Sequence, residues 1–211
     1  MLDERLNFKA HMEYIISKAK SRLAWIKRFA REFEDPWTIK RLFFAFILPI
    51  VEYGSQIWNP YYENMTARIE SIQKQFLLFA LRRLKWQDRF RLPTYEHRLL
   101  LLQMVTLRER RLIAQITFIF NVIRGKLSSK IIMSRINFRT SHHRARDSNL
   151  LEISVQSLNY LKYEPVNFML STFNSFYHKK LPNCDKFIID FNFSNDTVKL
   201  RLNDYFRCNS S

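Results

Sequence analysis

FKAHMEYIISKAKSRLAWIKRFAREF, residues 8–33, carries the strongest fold signal in the chain. After Phe8, apolar side chains recur at Met12, Ile15, Ile16, Ala19, Leu23, Ile26, Ala30 and Phe33. Steps of three and four residues place them on one stripe of a helix, because successive side chains turn by about 100°. Asn7, whose side-chain oxygen can accept from an N–H of the first turn, is the expected N-cap. Residues 18–31 hold six cations and no carboxylate, whereas a solvated helix face usually alternates charge sign because like neighbours repel. On the helical wheel Lys20, Lys27 and Arg31, with Lys9, line one edge of the stripe. Lys18 and Arg22 line the other, and Trp25 and Phe29 lie beside it.

Outward from this stretch the helical signal repeats. Asp35 as N-cap and Pro36 at the first helical position announce a second helix running to Trp58, apolar nearly all round and therefore expected at the centre of a bundle. Pro49 is expected to kink it, and Gly54 with Asn59-Pro60 to end it. Met65, Ile69, Ile72, Phe76, Phe79 and Ala80 give a third helical stripe. A polar, basic linker, KWQDRFRLP, and a short helix around TYEHRLLLLQM follow. Thr106 and Glu109 form a capping box for the next helix, and Gly125 lies just past its end. Residues 126–148 lose periodicity and read as an exposed basic loop containing Arg139, Arg144 and Arg146. Two further helices are expected, over Pro165–Tyr177 and near Asp196–Phe206. Only 2 glycines and 6 prolines in 211 residues argue against a sandwich or barrel, which needs frequent tight turns. The fold class read here is mainly α, a helical bundle.

The net charge of +16 is concentrated. Residues 1–149 hold 28 Lys/Arg against 13 Asp/Glu, and residues 150–211 hold 7 against 6. A field of that size favours a polyanion, either nucleic acid or an acidic membrane surface. The longest apolar run, LFFAFILPIV at residues 42–51, is about half a bilayer span and contains a proline, so a buried helix and no membrane anchor is expected. Cys184 and Cys208 do not make a metal motif or a disulfide framework, and Asp3, Glu4 and Arg5 interrupt any secretory start; an intracellular chain, cytoplasmic or nuclear, is expected.

Candidate chemistry is sparse. Two-metal phosphoryl or nucleotidyl transfer needs at least two convergent carboxylates, and the adjacent acidic pairs are Asp3-Glu4 and Glu34-Asp35. The first stands at the start of the chain, and the second is accounted for by a helix stop followed by an N-cap. His142-His143 lies among arginines that repel a cation, and His11 and His97 stand singly on helices. No catalytic residue, metal site or cofactor is expected. Cationic helix edges with nearby aromatics can hold phosphates and stack on bases, although Trp25 and Phe29 fit a core equally well.

The order LDERLNFKAHMEYIISKAKSRLAWIKRF, ILPIVEYGSQIWNPYY, RIESIQKQFLLFAL and LPTYEHRLLLLQMVTLRERR, followed by Asn159-Tyr160, Pro165 and Phe173-Asn174, resembles the C-terminal region of jockey-like non-LTR retrotransposon reverse transcriptases. That region follows the polymerase palm and contains the thumb. The resemblance implies that residues 1–6 are a remnant of the palm edge and 7–90 a thumb-like helical bundle. It is extended by a further helical pair at 91–126, the basic loop at 127–148 and a short, mostly helical C-terminal segment at 149–211. It implies that the chain begins at an internal methionine of a truncated element. The family's aromatic-Ala-Asp-Asp turn and its endonuclease are absent from the chain, so no polymerase activity is expected.

By the same resemblance, Lys18, Lys20, Arg22, Lys27 and Arg31 hold nucleic acid, an RNA or an RNA–DNA duplex, together with Arg139, Arg144 and Arg146. The palm of a related polymerase is a further implied partner. Two readings compete: a helical protein–protein scaffold that binds no nucleic acid, and an intact enzyme catalysing through other residues.

Overall fold

Helix α1, Lys9–Phe29, buries Met12, Ile15, Ile16, Ala19, Leu23 and Ile26, the stripe expected from spacing alone. Its cap position is Phe8, in left-handed backbone at φ 54° and without a side-chain cap bond; Asn7, the expected cap, lies outside the described residues. The structure is a computed structural model that describes residues 8–83, 93–139, 149–153, 164–177, 179 and 188–209. Among them are ten helices and one two-stranded ladder, a mainly α architecture. The chain divides into two compact units, after Arg110.

In the first unit, α2 (Pro36–Phe46) starts as expected: Asp35 accepts from the N–H groups of Trp37 at 3.2 Å and Thr38 at 2.8 Å. The Thr38 hydroxyl adds a bond, and these contacts hold the Asp35 carboxyl below the usual carboxylate range. Pro49 does more than kink this helix. It has no N–H to give to residue 45, and its ring crowds that carbonyl, so α2 stops at Phe46 and α3 (Leu48–Glu52) begins after Ile47. Gly54, at φ 64°, then redirects the chain into α4 (Ser55–Trp58). The expected all-round burial fails with this break. Ile39, Phe43, Ile47, Leu48, Val51 and Trp58 are buried, but Trp37, Phe46, Tyr53 and Ile57 face outward.

Helix α5 (Glu63–Arg83) lies against both α1 and α2. Phe76 stacks on Phe43 at a ring separation of 4.3 Å in the middle of the core. After α6 (Tyr95–Leu101) the turn closes through Gln103 at φ 48°, with the Met104 N–H donating to the Leu99 carbonyl at 2.8 Å. Lys40 donates to the carbonyls of Leu102 and Gln103, tying this turn to α2. The start of α7 (Leu107–Ile123) is capped twice. Thr106 and Glu109 exchange bonds at 2.8 and 3.1 Å, the expected capping box. Glu70 of α5, buried, also accepts from the N–H groups of Leu107 at 3.1 Å and Arg108 at 3.3 Å, and from the Tyr95 hydroxyl. Burial pushes the Glu109 carboxyl and the Tyr95 phenol above their ordinary pKa values.

In the second unit, the end of α7 closes on Gly125 at φ 68°, and the Lys126 N–H reaches the Asn121 carbonyl at 2.9 Å. Regular structure falls within the expected basic loop: α8 spans Lys130–Met133, and β1 (Asn137–Phe138) pairs antiparallel with β2 (Leu151–Glu152). Asn174, on α9 (Pro165–Tyr177), completes β2 by bonding both backbone groups of Leu151 at 3.0 and 2.8 Å. Helix α10 (Asn195–Asn209) sets Phe206 against Phe176 at 5.5 Å. Among the described residues no helix is long and apolar enough to cross a membrane. Cys208 is exposed, and Cys184 lies outside the described residues.

Candidate nucleic-acid interface

The buried stripe of α1 fixes the helix about its axis, and that sets where each cation points. On one side of the stripe lie Lys9, Glu13, Lys20 and Lys27, in the direction of α5. Glu13 pairs with Arg68 there at 3.6 Å, and Lys9 lines a shallow cavity of about 250 Å³ with Met12, Tyr62, Asn64 and Met65. On the other side lie Lys18 and Arg22, in the direction of α2, whose Phe46 meets the Trp25 ring edge-on at 5.3 Å. Lys18, Lys20 and Arg22 are exposed and Lys27 is half-buried. Arg31 is exposed but does not extend the helical edge. The helix ends at Phe29, and Arg31 sits in the following turn, because Ala30 closes the last turn through its N–H to the Ile26 carbonyl. Lys27 and Arg28 also face the negative end of the helix dipole, a local stabilisation independent of any ligand.

Among the described residues no carboxylate pairs with Lys18, Lys20, Arg22, Lys27 or Arg31. Residues 9–31 hold seven cations against Glu13 alone, a net +6. Division after Arg110 splits the total charge evenly, with 20 Lys/Arg against 12 Asp/Glu in residues 1–110 and 15 against 7 in the remainder, +8 in each. The asymmetry expected between residues 1–149 and 150–211 therefore does not follow the structural units. What is concentrated is the charge on α1.

Arg139 belongs to the second unit. It is exposed just after β1, its N–H bonded to the Leu150 carbonyl at 3.0 Å. Arg144 and Arg146, with His142-His143, lie outside the described residues. His11 packs edge-on to Trp58 at 5.8 Å, and burial lowers its pKa. Asp35 is committed to its helix cap. Among the described residues no three His, Cys, Asp or Glu side chains come close enough to hold a metal ion.

Sequence reasoning left the place of the aromatics open. Trp25 and Phe29 stack in parallel, 7° apart with ring centres 5.0 Å apart, and Phe29 keeps 52% of its surface exposed. Tyr14, one turn before Lys18, and Phe46 were not singled out as part of this face. The spacing of Tyr14 to Lys18 was visible, but Phe46 arrives from another helix. The chain matches no protein-family model, no curated protein and no solved structure.

Proposed function

We propose that this chain holds template–primer nucleic acid through the cationic edges of α1, as a thumb-containing C-terminal piece of a jockey-like non-LTR retrotransposon reverse transcriptase, with no polymerase activity of its own. The observation that carries the reading is the row of exposed or half-buried cations, Lys18, Lys20, Arg22 and Lys27, on a rigidly seated helix with no carboxylate partner among the described residues. The resemblance of residues 2–29, 47–62, 68–81 and 92–111 supplies the family. Such a chain works in the cytoplasm or nucleus, where its template lies.

Each phosphate contact releases a condensed counterion, so affinity for a primer–template duplex falls log-linearly with salt. Replacing Lys20, Lys27 and Arg31 together with alanine lowers that slope by about two to three units and weakens binding to all sequences alike. Circular dichroism checks that the variant stays helical; a helical variant with unchanged affinity and slope rejects the assignment. Given the same duplex with nucleotides and Mg²⁺ or Mn²⁺, the protein extends no primer. Extension abolished by changing one of its own acidic residues would make it an enzyme.

A second reading, a helical scaffold for a protein partner such as the palm of a related polymerase, is favoured by Tyr53 and Ile57, 85% and 58% exposed on either side of the α3–α4 turn. Binding insensitive to salt would select it.

A further inference from the structure

Along the α2-facing edge of α1, Tyr14, Lys18, Arg22, Trp25 and Phe29 succeed one another at steps of four, four, three and four residues, a strip about 22 Å long. The Lys18 ammonium lies 5.8 Å from the centre of the Tyr14 ring. Phe29 lies parallel to Trp25 and Phe33 tilts against it at 5.6 Å, yet half of Phe29 and 58% of Tyr14 remain open to solvent. The fully buried stripe of α1 contains none of these rings; Trp25 packs part of its surface against the core, and Phe29 lies outside it.

We infer that this strip is a stacking platform for single-stranded nucleic acid, with Phe29, backed by Trp25, taking an unpaired base and Lys18 and Arg22 the adjoining phosphates. The inference rests on the nucleic-acid reading above and adds to it the class of strand bound. In a duplex the base faces are already stacked, so exposed rings gain nothing from it; an unpaired base offers its face to any aromatic side chain. The two cations, without carboxylate partners among the described residues, select a polyanion over an apolar protein. A second copy of this +16 chain is repelled from the same edge.

The test compares oligothymidylate with an abasic sugar–phosphate chain of equal length. The native protein prefers the base-bearing strand by on the order of tenfold, the yield of one stacked base. Phe29→Ala and Phe29→Leu remove that preference while leaving affinity for the abasic chain and the salt slope unchanged; Phe29→Trp restores it. Leucine retains the apolar contact with Trp25, so its loss of preference reports the aromatic face and not folding. Lys18→Ala with Arg22→Ala instead lowers the salt slope for both strands by about 1.4 units. Equal affinity of the native protein for the two strands, or a preference surviving Phe29→Leu, overturns the platform. So does self-association of the native chain that Phe29→Ala abolishes, which would give the face to a second copy. Failure of the Lys20, Lys27 and Arg31 variant to affect duplex binding leaves this result standing, and failure here leaves the duplex edge. Absence of any binding to either strand or to duplex removes both.

Discussion

Glu70→Ala lowers the stability of the first unit by about 2–4 kcal/mol, because the truncation strands one buried and two part-buried donors at once. Glu70 lies on α5, but its carboxylate serves the start of α7 and the Tyr95 hydroxyl. Leu107, whose N–H it accepts, is completely buried, so water does not replace the lost acceptor there. Unsatisfied buried donors cost about 1–3 kcal/mol each, and the negative carboxylate also favours the positive end of the α7 dipole. Glu70→Gln keeps one accepting oxygen and loses about half as much. Urea unfolding followed by tryptophan fluorescence measures the effect in the right place, since all four tryptophans fall within residues 1–110. The midpoint shifts with little change in slope. A loss below about 1 kcal/mol for the alanine variant would mean that Thr106 and Glu109 suffice to cap α7.

Phe76→Ala produces a loss of similar size, about 3–5 kcal/mol, for a different reason. Phe76 is fully buried and stacked on Phe43, where α5 meets α2. Removing the ring forfeits its transfer free energy and leaves a cavity that the flanking helices close only in part. Phe76→Leu costs less than about 1.5 kcal/mol, because most of the volume remains. The same fluorescence-detected unfolding distinguishes the two variants. An alanine variant no weaker than the leucine variant would show that the site collapses around the gap, and that the Phe43–Phe76 stack does not hold α2 on α5.

The candidate interface was legible where its logic is local. The stripe of α1 dictates which residues are buried, and hence that Lys18 and Arg22 fall on one edge and Lys20 and Lys27 on the other. Arg31 was misplaced because periodicity carries no stop signal at Phe29; Ala30, buried and apolar, continues the pattern although the backbone has left the helix. The state of Trp25 and Phe29 was not legible. Whether an aromatic ring beside a stripe is core or surface depends on what packs next to it: Phe46 and the core cover part of Trp25, while Phe29 stays half exposed.

The sequence by itself determined the helices and their punctuation: the stripe of α1, the Asp35 cap, the Thr106–Glu109 box and the left-handed close at Gly125. Each of these rests on partners within about five residues, so local spacing contains all the information needed. Tertiary structure decided the rest. Pro49 was bound to disturb its helix, but the loss of all-round burial across α2–α4 followed from which faces α1 and α5 could cover. Glu70 reads locally as one more polar residue on α5. Its role as the cap of α7 depends on partners 37 and 38 residues away, a pairing set by the packing of three helices and written in no local pattern.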